Sequence, residues 1–476
     1  MTDKLHSFID GKRTGHAGNA TPLISPVDLS VFAEMVEAPT EIVAQAVDSA
    51  HLAYAANKRA SLAQRVQWLN NAAAAVERAV PEITALLIQD IGKPRRAASF
   101  EANRAGNFLR ATAAEAQTLR GETLPVDSAP AGAGRFGFTR RVPYGVVAAI
   151  TPFNAPINLL VQKLAPAIAA GNAVVLKPHP AGMRVALRVA ELFIEAGVPA
   201  GLFNVLTGDR AAAQALVAHP KVMAVTFTGG TAAGDALVRA AGAKKFLAEL
   251  GSNAANIVLA DADINDAAKR IAAAAFEASG QQCISAQRII VERSVHDAFL
   301  AAFVTAAKAL KVGDPQDEAT DVGPMVSLAA ANRVMGMLAD AKSRGAKLAL
   351  EATQKDCLVS PGIVAGSPRD ASIWRDEAFG PIAVVEAAAD AEDALKLAND
   401  SEFGLQGALF TRSLKWAMRF SEEFEVGSLW VNEASRFRLD MYPFGGAKRS
   451  GFGREGVRYA IEELSQLRFT GMRFDV

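Results

Sequence analysis

An α/β fold in two domains is what the sequence predicts, and three observations carry it. The chain has 476 residues, more than a single hydrophobic core usually serves. Short runs such as NAVVLKP at 172–178 and KVMAVTFTG at 221–229 are almost wholly apolar, which suits strands buried on both faces of a parallel sheet. Ala-rich stretches with apolar residues three and four apart lie around them, so helices and strands alternate. Half of the residues are apolar and 21% are charged, a composition that folds throughout.

Taken in order, Phe8-Ile9-Asp10-Gly11-Lys12 reads as a short strand and turn. Helices are expected from Glu41 to Ala60 and from Leu62 to Ile88, with Asn70, Asn71 and Pro81 interrupting the pattern. A further helix from Ser99, stopped by Gly121, places Arg104 and Phe108 one turn apart on a common face. Residues 135–152 alternate and then become continuously apolar, predicting two strands that lead into the core. A second series of IVLA, a helix over 263–280, the strand RIIVE and a helical run through Lys311 predicts a second α/β unit beginning near Gly251. From Ser450 come a Gly-rich turn, a short helix and the run SQLRFTG, an exposed edge that with 125–143 can pair across subunits. The chain has no long internal repeat and no low-complexity linker.

Several function classes are disfavoured by composition. Lys plus Arg and Asp plus Glu number 50 each, so no overall field recruits nucleic acid or an anionic membrane. The two cysteines, Cys283 and Cys357, imply neither a disulfide framework nor a cysteine-rich zinc site. Among six histidines there is no HExxH and no compact ligand set, so no catalytic metal is expected. The start, MTDKLHSFIDGKR, lacks a basic segment followed by an apolar one, and apolar stretches break before membrane-spanning length. A soluble, cytoplasmic protein is expected.

Cys283 sits in SGQQCISAQR, after a predicted Ala-rich helix, and Glu249 in FLAELGSN. Alone, a single cysteine is more often a small buried hydrophobe, and Glu249 reads equally well as a surface carboxylate at a strand end. Seven segments change that balance: ITPFNAP, VVLKP, FTGG, ELGSN, GQQC, DEAFGP and PFGGAKRSGFGREG. In their order, and over nearly the whole length, the chain resembles the aldehyde dehydrogenase superfamily, with the Glu249 to Cys283 interval of its hydrolytic members.

The resemblance implies a Rossmann-like cofactor domain of residues 1–124 and 144–250, a catalytic domain of 251–430, and a small β oligomerisation element of 125–143 and 455–476, in a homodimer or homotetramer. It also implies roles. Cys283 attacks the aldehyde carbon as a thiolate, giving an adduct whose hydride can leave to form a thioester. The Asn154 carboxamide and the Cys283 N–H hold the oxygen charge that develops. Glu249 activates the water that hydrolyses the thioester, so the product is a free acid. Thr151, Pro152, Phe153, Lys177, Phe227 and Gly229 line the cofactor, and Glu377 and Phe379 approach its nicotinamide end.

Two positions depart from the family pattern. Pro180 stands where many members carry a Glu that binds the NAD ribose and repels a 2′-phosphate. Gly230 stands for the usual Ser near the pyrophosphate. NAD is the expected cofactor, with NADP as an alternative. For the substrate, Arg104, Arg436 and Arg438 match places where relatives read anions, with Phe108 and Gln282 beside them. Gln282 replaces the Arg that phosphate-reading relatives place before the cysteine, and Ala155 follows Asn154 where an aromatic donor occurs, which disfavours phosphate. A carboxylate, a sulfonate or a hydroxyaldehyde such as a semialdehyde fits better. Neutral aliphatic or aromatic aldehydes, against a wall of Phe108, Phe153, Phe437 and Tyr442, are the first alternative. A catalytically silent scaffold is the second.

Overall fold

The computed structural model describes residues 3–474. An eight-stranded sheet is built around five parallel strands: β1 (Val146–Thr151), β2 (Ala173–Pro178), β3 (Phe203–Val205), β4 (Val222–Thr228) and β5 (Lys245–Glu249). Their order across the sheet is β3-β2-β1-β4-β5. The chain therefore reverses its direction of travel between β1 and β4, and ligands of such sheets bind in the crevice at the carboxyl ends of those two strands. All of β1 and β2 is buried, which is why both read as unbroken apolar runs. The Phe8–Ile9 and Lys12–Arg13 hairpin closes one edge, turning through Asp10 and Gly11 at φ 53° and 76°. Gly451–Phe452 closes the other against β5.

A second, seven-stranded and mostly parallel sheet holds Ala255–Val258, Arg288–Glu292, Ile382–Ala388, Gln406–Phe410 and Ser428–Val431. Its faces are covered by helices that include Ile264–Phe276 and His296–Lys308. A third sheet pairs Ser465–Arg473 with Arg135–Pro143 over nine residues. Its terminal strand is an edge bearing the exposed Leu467, Phe469 and Met472. Among the described residues no helix is long and apolar enough to cross a membrane.

Four local expectations are corrected. The helix expected from Leu62 to Ile88 is two, Leu62–Arg78 and Val80–Ile91. Ala79 breaks it and Pro81 sits in the first turn of the second, where its missing N–H costs nothing. The next helix runs from Arg95 to Ala116. Gly121 is not its stop: a side chain there would meet the Thr139 carbonyl at 1.8 Å. The helix expected over 263–280 is capped by Asp263 but ends at Phe276. The short helix Val457–Glu463, grouped by sequence with the terminal strand, buries Val457, Ile461 and the adjoining Leu464 in the first core. Residues 475–476 of that segment lie outside the described residues.

Candidate active site

The carboxyl end of β1 runs into Thr151-Pro152-Phe153-Asn154, and that of β4 into Gly229 and Gly230. Both Thr151 and Thr228 are buried with hydroxyls that have no partner, an arrangement expected to be met by a ligand or water. Gly229 donates to the Glu249 carbonyl at 3.0 Å, and a side chain on it would strike the Phe227 ring at 2.5 Å. Gly230 caps the helix Thr231–Ala241 with no side chain above it and open space where one would stand. The free N–H groups of this helix start face the crevice end of β4, which suits a pyrophosphate.

Lys177, near the end of β2, is 6% exposed and its ammonium has no hydrogen-bond partner among the described residues. Burial pulls it down to about 8, against the opposing charge of Asp209. His179 is pulled down to about 4 by burial and by Lys177, and so stays neutral. Its Nδ1 accepts from the Ala181 N–H at 3.1 Å, fixing the turn that Pro180 opens. The turn itself carries no carboxylate, although the charge of Asp209 reaches both Lys177 and His179. Phe153 packs edge-on to His179 and to Phe379, and Phe379 is held at φ 44°. Glu377, pushed up to about 7 by burial, accepts from the Ser252 N–H at 3.0 Å. Thus ELGSN and DEAFGP meet, although 125 residues separate that bonded pair.

After Phe276, Ala278, Ser279 and Gly280 all take left-handed backbone, at φ 52°, 60° and 63°. Such strain in two non-glycine residues persists only where the surroundings impose it. Here the Ala278 N–H donates to the Asp321 carbonyl at 3.1 Å and the Ser279 hydroxyl to the Gly323 carbonyl at 2.6 Å. A side chain on Gly280 would meet the Gly380 carbonyl oxygen at 2.3 Å. Gly280→Ala should therefore cost about 1–3 kcal/mol of stability from overpacking and displace the turn behind it. Denaturant melts and Cys283 alkylation rates would register both, and an unaltered pair would show the turn to be tolerant.

Cys283 follows in that turn, partly exposed, and its backbone N–H donates to no acceptor among the described residues. Burial pushes the thiol up to about 12, with Arg438 working in the other direction and Glu377, Glu249 and Glu455 adding to the rise. Glu249, at the end of β5, is 4% exposed and its Oε2 has no partner. Burial first, and then Glu455, raise it well above the usual carboxylate range, although Arg438, Lys163 and Arg454 oppose this.

Behind Glu249 lies a buried ionic cluster. Lys163 donates to Glu455 at 2.8 Å and to Thr226 at 3.1 Å, while Arg438 donates to Glu455 and to Gln162, both at 3.0 Å. Burial pushes Glu455 up, but the two cations outweigh it and hold it down to about 2. Two cations to one fixed anion leave a positive charge, which an ionised Glu249 would balance. Sequence reading missed Lys163 and Glu455. A signal for the first was present, a lone Lys in the apolar PINLLVQKLAPAIAA, which a helix buried all round tolerates only if paired.

The three arginines expected to read a substrate anion separate. Arg104 is clasped by both carboxylate oxygens of Asp440. Arg436 bonds the Gln282 side chain at 3.0 Å and the Glu277 carboxylate at 2.6 Å. Arg438 lies over the Phe444 ring at 3.7 Å with its Nε unpartnered. Phe444 in turn packs with Ile284, Leu405, Cys283 and Tyr442. Phe108 does not join this wall: it is 1% exposed inside the first core, because the helix face it shares with Arg104 is mostly an inward one. The sequence pattern gave that face but not which end of it meets solvent.

The model of the aldehyde dehydrogenase family matches residues 13–470. The chain belongs to that family. Over 388 residues it is 43% identical to the 3-sulfolactaldehyde dehydrogenase of Priestia aryabhattai, covering 81% of each chain. It is 36% identical over 466 residues to the lactaldehyde dehydrogenase of Methanocaldococcus jannaschii, covering 97% of this chain and 98% of that one. Among solved structures, the NADP-dependent glyceraldehyde-3-phosphate dehydrogenase of Bacillus halodurans C-125 complexed with NADP superposes with a TM-score of 0.96 at 31% identity over 99% of both chains. The aldehyde dehydrogenase fold expected from the seven segments is thus the fold observed, and the protein is an aldehyde dehydrogenase.

Proposed function

We propose that the protein oxidises a small hydroxylated or singly charged aldehyde to the free carboxylic acid with NAD or NADP. The observation that carries this reading is the unpartnered Glu249 oxygen in the same charge environment as the Cys283 thiol: a nucleophile and a base that can serve successive steps.

Thr151, Pro152, Phe153, Lys177, Pro180, Phe227, Gly229 and Gly230 are the residues that would hold the dinucleotide, with Glu377 and Phe379 at its nicotinamide end. The orphaned threonine hydroxyls, the unpartnered Lys177 ammonium and the open helix start fit such a group. Bound, it supplies the hydride acceptor. With Pro180 in place of a Glu the turn itself brings no carboxylate against a 2′-phosphate, and the buried Lys177 offsets Asp209 nearby, which supports use of either form. The chain's own residues do the rest. Cys283 adds to the carbonyl, the Asn154 carboxamide and the Cys283 N–H hold the oxyanion, and loss of hydride leaves a thioester. Glu249 then takes a proton from the attacking water, and the thiol is released with the acid.

Arg104 and Arg436 each carry a carboxylate partner, which halves their appeal for a doubly charged phosphate. The Arg104–Asp440 pair instead offers a donor and an acceptor side by side, which suits a hydroxyl next to a carboxylate or sulfonate. The relatives named for 3-sulfolactaldehyde and lactaldehyde support this class. The test is NADH and NADPH formation with matched aldehydes bearing neutral, hydroxyl, carboxylate, sulfonate and phosphate ends, in the wild type and Arg104→Ala. A rise of about tenfold in KM confined to hydroxylated and acidic aldehydes is expected, near 1.4 kcal/mol. Equal effects on neutral aliphatic or aromatic aldehydes would return Arg104 to a structural role and favour the apolar wall of Phe153, Phe437 and Tyr442. The exposed apolar edge of Ser465–Arg473 supports a homo-oligomer that pairs there, which light scattering of the purified protein would size.

A further inference from the structure

Lys93 and Glu101 form a buried ion pair that none of the steps above uses, with 7% and 4% of their side chains exposed. A buried pair is weak support for stability in itself, so what it grips matters. The Lys93 ammonium also donates to the Asn154 backbone carbonyl at 2.6 Å. The Glu101 carboxylate accepts from the backbone N–H groups of Ile157 at 3.1 Å and Asn158 at 3.3 Å. These are the second and third residues of the helix Pro156–Ala170, whose own cap position is Ala155, at φ −143° and ψ 65°, with no side chain to do the capping. Glu101 therefore performs from another helix the task that a capping Ser or Asp performs locally, at the helix end where a negative charge is favoured. One ion pair thus fixes both the peptide that follows Asn154 and the first turn two residues later. The Asn154 carboxamide itself has no hydrogen bond within the described residues and takes its direction from this backbone.

The same corner is anchored to the cysteine loop. A side chain on Gly323 would meet the Gly92 carbonyl oxygen at 2.5 Å, and one on Gly92 would meet Pro324 at 2.4 Å, so these two segments touch backbone to backbone. Gly323 is the residue whose carbonyl holds Ser279, and Arg96 reaches Asp321, which holds Ala278. Gly92, Lys93 and Pro94 line one cleft together with Asn154, Ser279 and Gln282. The contacts with the supports of the cysteine turn are thus made by Gly92 and Arg96, whereas the Lys93 ammonium and the Glu101 carboxylate bond only the Asn154 side of this corner.

We infer that Lys93 and Glu101 are positioning residues that set the Asn154 carboxamide against the Cys283 N–H, Lys93 by holding the Asn154 carbonyl and Glu101 by capping the helix behind it. The inference rests on Asn154 being an oxyanion donor. A displacement of about 1 Å in such a group costs on the order of 10²-fold in rate.

The test is a double-mutant cycle of Lys93→Met and Asn154→Ala, assayed for kcat and KM with the best aldehyde, with Cys283 alkylation by iodoacetamide followed in parallel. Lys93→Met should lower kcat by about 10²-fold with little change in KM, add little in the Asn154→Ala background, and leave the alkylation rate as in the wild type. Lys93→Gln, which keeps a donor for the Asn154 carbonyl, should recover much of the loss. An equal loss from Lys93→Met in both backgrounds, or an altered alkylation rate, would overturn the inference, since the pair would then act elsewhere or through the cysteine loop. Normal kcat in Asn154→Ala alone would remove the oxyanion reading beneath it, a result distinct from either. Should Lys93→Met not fold, Glu101→Gln, which keeps size and loses charge, takes its place in the cycle with the same outcomes.

Discussion

Cys283→Ala is expected to abolish aldehyde oxidation, by about 10⁴-fold or more, as removal of a covalent nucleophile does, while leaving dinucleotide binding intact. Cys283 sits in a turn whose backbone is fixed by bonds from Ala278 and Ser279 and by the packing of Gly280, none of which involves the sulfur. Removing it leaves the loop in place. The lining proposed for the dinucleotide, from Thr151 to Gly230, makes no hydrogen bond with the sulfur among the described residues and should be unaffected. Steady-state NADH formation and fluorescence titration with NADH measure the two halves. Retained turnover would sink the covalent mechanism. Loss of both would mean the turn had collapsed, and a wild type that binds dinucleotide but reacts with no aldehyde would favour the silent scaffold.

Glu249→Gln is expected to slow the steady state by about 10²–10⁴-fold, the range of a general base, yet to leave a burst of NADH equal to the enzyme present. Since burial and Glu455 raise the Glu249 carboxyl, its base form is scarce at low pH and grows as pH climbs through that raised value. Thioester hydrolysis in the wild type should therefore accelerate with rising pH across that window, and this limb should vanish in the variant. Glutamine is close in size, and the Oε2 it replaces has no hydrogen-bond partner, so the fold loses little. Stopped-flow traces over a pH series decide it. A variant without a burst, with hydride release slowed as much as turnover, would mean that Glu249 works before hydride leaves, on the Cys283 thiol.

Most of the layered architecture was legible because burial on both faces of a sheet leaves a mark on each strand by itself. NAVVLKP and KVMAVTFTG announce their strands without reference to any partner. Boundaries were less legible where competition is local: Pro81 is tolerated inside an apparently continuous helix pattern because it sits in a first turn, and Ala278 and Ser279 leave the helix through contacts with Asp321 and Gly323 that the sequence does not display. The motif residues Cys283, Glu249 and Asn154 were named from resemblance. Their surroundings were not. Lys93, Glu101, Lys163, Glu455 and Asp440 lie 8 to 336 positions from the partners they meet, and charged residues at such separations look like solvated ones until the fold removes the water.

What the sequence by itself determined is the alternation of strands and helices and the family motifs, and through them the candidates for a nucleophile, a base and an oxyanion amide. Periodicity and short motifs are properties of neighbouring residues, and neighbouring residues are what a sequence records. Tertiary structure alone decided which charges are compensated. It gave Arg104 to Asp440 and Arg436 to Glu277, left Glu249 without a partner beside two cations that share Glu455, and placed one buried ion pair behind Asn154. The reason is physical: an ionic interaction depends on distance through space and on the water excluded around it, and both are set only when distant segments pack.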